Sequence, residues 1–259
     1  MDKSTFLKFC GDKFNNILNS FGFKATFSFK SSGNPKYEAV TTMPTYAPWN
    51  IDGQFKKTYK TIETNTISDK YRCYGLWELV GETKKIPGAL IEVGTWRGGT
   101  GAIIAKKAEL CKIKDTVYLC DTFAGVVKVD SDKDSFYGEG RHSDTSVKIV
   151  ENLIFNKMKL KNVRILKGIF PDETKHLVKD NKFRFCYIDV DIYKSAKDIV
   201  NWIWDKMSVG GIIVYDDYGN EYCDGMTKIV EEERNRSDAL VIYNLNGQAV
   251  EIKLPKNLS

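Results

Sequence analysis

From Ser68 to about Glu233 the chain repeats one unit, a short apolar run followed by a longer stretch with helical spacing. This alternation limits the fold more than any other feature of the sequence. Strands joined through helices pair in parallel, and the helices then cover both faces of the sheet. Strands are predicted over 89–93, 116–120, 163–166, 185–188 and 211–215, and helices over 69–83, 100–111, 144–159, 195–207 and 224–234, with a short helix after Pro171. Residues 239–243 and 249–254 alternate apolar and polar around Asn246-Gly247, a pair that tolerates positive φ and suits a tight hairpin. The fold class expected is α/β: a Rossmann-like, mostly parallel seven-stranded sheet closed by a C-terminal antiparallel hairpin. A nicotinamide-binding sheet more often finishes in parallel order. No internal repeat or low-complexity segment is visible.

Residues 1–67 read differently and form the expected N-terminal extension, with the main domain spanning 68–259. Phe6, Cys10, Phe14, Ile17, Leu18 and Phe21 recur at three- and four-residue spacing, which predicts an amphipathic helix ending near Gly22. Its polar face mixes Asp12 and Asn15 with lysines. That favours packing on the main domain or on a partner subunit over lying on a membrane surface. Residues 24–60 carry three of the six prolines, Pro35, Pro44 and Pro48, among many aromatics, and are expected to be an irregular arm serving as a lid or subunit contact. A homodimer is one assembly this allows.

The composition excludes several classes of function. With 39 basic and 34 acidic residues the excess of +5 is dilute, and Lys84-Lys85 and Lys106-Lys107 read as solvated helix faces, so no nucleic-acid partner is expected. The six cysteines show no C-x-x-C spacing and there are only two histidines, which argues against a structural zinc site. Cys120 and Cys186 fall inside apolar strands, as buried thiols do in a reducing compartment. The chain opens on an amphipathic rather than a continuous apolar stretch, and no apolar run is long enough to span a membrane. A cytoplasmic protein is expected.

Three groups of residues carry chemistry. Glu92-Val93-Gly94-Thr95-Trp96-Arg97-Gly98-Gly99 joins the first strand to its helix. Glycines there let backbone approach a ligand, and a helix N-terminus favours an anionic group, although the spacing is not that of a dinucleotide fingerprint. Asp121 ends the second strand, where a carboxylate is placed to accept both hydroxyls of a ribose, with a helix-capping role as the alternative. A nucleoside-containing ligand is therefore expected, and both NAD and S-adenosylmethionine qualify at this point. Asp189-Val190-Asp191 and Asp216-Asp217 then end two further strands. So many acids at one sheet edge call for a cation, and oxygen donors suit a hard one such as magnesium, unless some of them cap the following helices.

Six ordered motifs carry a resemblance: Glu92-Val93-Gly94 with Gly98-Gly99, Asp121-Thr122-Phe123, His142-Ser143-Asp144-Thr145-Ser146, Gly168-Ile169-Phe170, Asp189-x-Asp191-x-Tyr193, and Asp216-Asp217-Tyr218. From about Tyr71 to about Val230 the chain resembles the macrocin O-methyltransferase family, the metal-dependent sugar O-methyltransferases of macrolide and aminocoumarin biosynthesis. The resemblance implies a class I methyltransferase fold, S-adenosylmethionine as cofactor, Mg2+ or another hard divalent cation, and a sugar or glycan acceptor. It implies that the loop from Gly94 to Gly99, including Thr95, Arg97 and Gly98, holds the methionine part of the cofactor, with Glu92 a further cofactor contact. Asp121 would serve its ribose and Gly168, Ile169 and Phe170 its adenine, with Thr122 and Ser143 as further cofactor contacts. Asp191, Asp216 and Asp217 are implied as metal ligands, while Asp189 binds the cofactor amine or joins the metal. Asp191 is the implied general base and His142 its alternative. One departure is visible. Family members commonly carry Gly-Cys after the double aspartate, whereas here Cys223 follows a longer polar stretch and precedes Asp224-Gly225.

Other readings compete on the same residues. An apolar strand before Asp189-x-Asp191 also fits a metal-dependent glycosyltransferase, although such an enzyme requires neither the glycine loop nor a second acidic pair. An O-methyltransferase of a non-sugar small molecule, or a non-catalytic binding protein on the same fold, are further alternatives.

Overall fold

The computed structural model describes residues 36, 37, 40 and 45–256. The chain divides into two compact units, 1–44 and 45–259, and the fold below is that of the second. The helix expected over 6–21 lies outside the described residues. The unit that carries the sheet begins at Thr45, ahead of the expected boundary at Ser68.

The first correction falls in the stretch read as irregular. Helix α1 (Gly53–Ile62) starts at Asp52, whose side chain accepts from Phe55 N at 2.9 Å. Phe55, Thr58 and Ile62 then face inward at three- and four-residue steps. The aspartate cap was a legible start signal that the nearby prolines and aromatics obscured. Helix α2 (Lys70–Glu82) is capped by Asp69, which accepts from Tyr71 N and Arg72 N, and it buries the stripe Cys73, Leu76, Trp77 and Val80. Tertiary packing on this stripe, more than intrinsic propensity, holds a helix of this length in place.

Seven strands form one sheet in the order β3 (Val163–Lys167), β2 (Val117–Asp121), β1 (Ala89–Val93), β4 (Phe183–Ile188), β5 (Met207–Asp216), β7 (Gln248–Lys253), β6 (Ala239–Tyr243). The first five run parallel, and β7 is antiparallel to both β5 and β6. The expected fold class is borne out, closing hairpin included. The turn differs in detail. Leu245 and Gly247 take positive φ while Asn246 does not, because Asn244 Oδ1 accepts from both Asn246 N and Gln248 N and so organises a longer loop.

Alternate residues of each strand feed two cores. Leu90, Leu119, Tyr187 and Val214 pack with α1, α2 and α3 (Gly99–Leu110). Ile91, Cys120, Ile188 and Tyr215 pack with α5 (Tyr193–Ile203) and α6 (Asp224–Glu233). The helix expected over 144–159 is shorter: α4 (Val147–Glu151) passes into a wider π turn over Asn152–Lys157. Between β2 and α4 lies the long loop 122–146. Asp134 anchors it, because its buried carboxylate accepts from Tyr193 N at 2.9 Å and caps α5 from a distance.

Candidate active site at the carboxyl ends of the parallel strands

The order of strands reverses between β1 and β4, and open α/β sheets bind ligands at such a point, beyond the carboxyl ends of the strands. A cavity of about 270 Å³ lies there. Four non-glycine residues that follow the central strands take left-handed backbone, Trp96 (φ 46) after β1, Phe123 (φ 54) after β2, Asp191 (φ 65) after β4 and Asp217 (φ 57) after β5. Residues in this region cost about 1–3 kcal/mol each and cluster at functional sites. Gly94 has the tightest constraint. At φ 95, a Cβ on it would come within 1.7 Å of the Asp189 carbonyl oxygen, so glycine is what lets β1 and β4 close together beneath the cavity.

On the β2 side, Asp121 is pinned by two backbone donors, Trp96 N at 2.7 Å and Phe123 N at 2.6 Å. Burial raises its pKa against the opposing pull of those amides. Each oxygen keeps a lone pair for a ligand hydroxyl. Thr122, Gly168, Ile169 and Phe170 line the same region, with Gly168 N donating to the Asp121 carbonyl at 2.9 Å.

On the β4 and β5 side four carboxylates converge. Asp189, Asp191, Asp216 and Asp217 all line the cavity. Burial, followed by the neighbouring acids, pushes Asp191 up to about 8 and Asp189 well above the usual carboxylate range. Asp216, 2% exposed, is pushed up to about 7 by burial against the pull of Arg72. Arg72 Nη1 donates to Asp216 Oδ2 at 2.6 Å and to Asp217 Oδ1 at 3.2 Å. Gln248 Nε2 donates to the other Asp216 oxygen at 2.9 Å.

The donor chemistry fits a divalent cation. Asp189, Asp216 and Asp217 each bring an oxygen within 4.8 Å of the others, an all-oxygen set that suits a hard ion. A second group, Asp191, Asp217 and Cys223, shares Asp217 with the first. Cys223 thus reaches the acidic cluster despite its displaced position in the sequence, its Sγ 3.9 Å from Asp191 Oδ1.

His142 also lines the cavity, and its Nε2 is buried with no hydrogen-bond partner. Burial, then Arg141, lowers its pKa, which leaves the imidazole neutral near pH 7. Tyr137, from the same loop, also lines the cavity, its ring 5.8 Å from that of His142.

Other residues expected at the cofactor have partners within the protein. Thr95 lines the cavity, but its hydroxyl donates inward to Glu92 Oε2 at 2.8 Å. Glu92 is fully buried behind the glycine turn and does not line the cavity, and burial raises its pKa to about 7. Gly98 and Gly99 also lie outside the lining. Gly99 N donates to the Asn65 carbonyl at 3.0 Å, and a Cβ there would meet that oxygen at 2.6 Å, so this glycine admits the 65–68 loop. Arg97 turns outward onto Asp144 at 2.8 Å, and exposed Ser143 lies off the cavity. Sequence reasoning missed Arg72, Tyr137 and the 65–68 loop. The aspartate cap at the start of α2 fixes where that helix begins but carries no signal of what Arg72 reaches.

Comparisons with known proteins agree with this geometry. The profile of the macrocin-O-methyltransferase (TylF) family matches residues 53–246. Demethyldecarbamoylnovobiocin O-methyltransferase of Streptomyces niveus is 29% identical over 163 residues, 59% of this chain and 60% of that protein. The 8-demethyl-8-(2,3-dimethoxy-alpha-L-rhamnosyl)-tetracenomycin-C 4'-O-methyltransferase of Streptomyces olivaceus is 31% identical over 148 residues, 53% of this chain and 56% of that one. The chain thus spans under two thirds of the length of these relatives. Among solved structures, the O-methyltransferase NovP superposes with a TM-score of 0.63 at 23% identity, over 74% of this chain and 83% of that one, a likeness of fold. With three quarters of its length under the family profile, this chain belongs to the macrocin-O-methyltransferase family.

Proposed function

We propose that this chain transfers a methyl group from S-adenosylmethionine to a hydroxyl of a sugar or glycan, with a divalent cation, magnesium or another hard ion, held at the acidic cluster. The observation that carries the reading is a single cavity lined by the ribose-type carboxylate Asp121 and by Asp189, Asp191 and Asp217. The sugar acceptor rests on the relatives, one of whose names describes 4'-O-methylation of a rhamnosyl-bearing tetracenomycin.

In this reading the cofactor supplies an electrophilic methyl, and the cation supplies charge that makes the acceptor hydroxyl more acidic. The protein supplies alignment and a base. Asp121 accepts from the ribose hydroxyls, its carboxylate already oriented by Trp96 N and Phe123 N. Gly168, Ile169 and Phe170 border the adenine. Gly94, Thr95 and Asp189 face the methionine part, and Asp189, Asp191, Asp216 and Asp217 offer oxygens to the cation. Asp191 takes the acceptor proton on its carboxylate. His142, neutral and with a free buried Nε2, is the second group able to accept a proton there.

A glycosyltransferase built on Asp189 and Asp191 has no use for the paired Asp216 and Asp217 or for the carboxylate at Asp121. The free thiols of Cys73, Cys120 and Cys186 support action in a reducing, cytoplasmic setting. Among the described residues no helix is long and apolar enough to cross a membrane.

The test is transfer of labelled methyl from S-adenosylmethionine to free sugars, nucleotide sugars and glycosides, with and without chelator. Label in a sugar, lost on chelation, is the expected result. Label in non-sugar hydroxyl compounds alone would replace the acceptor class, and full turnover in chelator would remove the cation.

A further inference from the structure

We infer that Arg72 is the resident cation of the acidic cluster and competes with the divalent ion for it, so that metal binding is an exchange. The inference rests on the cation in the function proposed above and concerns what this chain's own residues do to its affinity.

Arg72 enters from the first turn of α2, where Asp69 accepts from both its backbone N and its Nε, each at 3.0 Å. From that anchor Nη1 reaches Asp216 and Asp217. Both potential donor groups contain Asp217, and the all-oxygen group contains Asp216 as well. An ion in either group therefore meets a carboxylate already engaged by the guanidinium. Asp216 is the more committed of the two, since Gln248 holds its second oxygen, while Asp217 Oδ1 is shared between Arg72 and Asn220 Nδ2 at 3.2 Å. A fixed positive charge on two ligands repels an arriving cation, and in a buried site that repulsion is weakly screened. Asp69, half exposed, gives the guanidinium an alternative partner when it yields Asp217.

The arrangement also suits the metal-free protein. Four clustered acids with no cation would be strongly unfavourable, and a single guanidinium relieves two of them, the buried Asp216 among them. The same contact thus weakens the cluster's hold on metal.

The experiment is Mn2+ titration by calorimetry in the presence of S-adenosylhomocysteine, on the wild type, Arg72→Gln and Arg72→Lys. Arg72→Gln, which keeps a donor without the charge, should bind Mn2+ about tenfold or more tightly than wild type, and Arg72→Lys should stay within about threefold of it. Mn2+ should also raise the melting temperature of Arg72→Gln more than that of wild type. Equal or weaker binding by Arg72→Gln overturns the inference. Should that variant not fold alone, Mn2+ must restore its circular dichroism, and failure to do so overturns the inference equally. Binding of S-adenosylhomocysteine with no Mn2+ bound by either protein sinks the cation and this inference together. No binding of S-adenosylhomocysteine sinks the methyltransferase reading instead.

Discussion

Gln248 and Asp216 are register partners across the antiparallel β5–β7 pair, and the Gln248 amide donates to the Asp216 carboxylate at 2.9 Å inside the protein. The C-terminal hairpin therefore does more than close the sheet. It reaches into the acidic cluster and fixes one of its members.

Replacing Gln248 by Leu should leave one Asp216 oxygen buried without a donor, at a cost of about 1–3 kcal/mol. Denaturant unfolding at pH 7 measures the loss. Gln248→Glu should cost more, because it sets a carboxylate against Asp216. A neutral result in both variants would mean that Asp216 does not depend on the hairpin.

Asp121→Ala removes the acceptor of the proposed ribose hydroxyls and should weaken S-adenosylhomocysteine binding by roughly 10- to 100-fold. Asp217→Asn should leave that affinity nearly unchanged while abolishing metal-dependent turnover. Calorimetry on the two variants separates the cofactor end of the cavity from its acidic end.

The pH dependence of turnover follows from Asp191. A carboxylate acting as base must be ionised, so rate falls as pH drops through its pKa, pushed up to about 8 by burial and by Asp217 and Asp216. A bound cation favours the ionised form, so the acid limb of kcat against pH should move to lower pH as divalent ion is added. A limb that ignores metal concentration argues for a base outside the cluster, with His142 the next to test.

Away from the site, Glu251 is buried beside Tyr215 and Glu233, and burial pushes it from 4.5 to about 7. Its folded pKa lies above its unfolded one, so its contribution is fully present below about 4.5, is lost as pH rises towards about 7, and is flat beyond. Glu251→Gln should accordingly gain on wild type by about 3 kcal/mol across that window, measured by urea unfolding at stepped pH. A constant difference between the two proteins would show that the glutamate does not titrate there.

Gly94→Ala should fail outright. Its Cβ would overlap the Asp189 carbonyl, and its φ of 95 is strained for any side chain. A loss beyond about 3 kcal/mol, or insoluble protein, is expected. A well-folded variant would mean that β1 and β4 can part without harm.

The sheet was legible because strand and helix periods differ and because aspartates interrupt apolar runs where strands end. Asp121, Asp189, Asp191, Asp216 and Asp217 were placed together on that pattern, and the structure sets all five around one cavity. Arg72 was not legible, because it lies 144 positions from Asp216 and nothing in its own helix sets it apart from a surface basic residue. Gly98 and Gly99, expected at the cofactor, lie beside the cavity rather than in its lining, and the sequence alone does not separate the two places. A glycine turn that admits a ligand and one that admits a neighbouring loop use the same residues. Tyr137 sits in the long loop 122–146, where no periodicity reports which side chains turn inward.

The left-handed residues beyond the strand tips carry a consequence for engineering. Glycine in place of Asp191 would relax the backbone and remove one of the carboxylates that repel one another, so the exchange should make the fold more heat-resistant while emptying the site of its proposed base. Selection for robustness alone would therefore erode this protein first at the residues that give it a purpose.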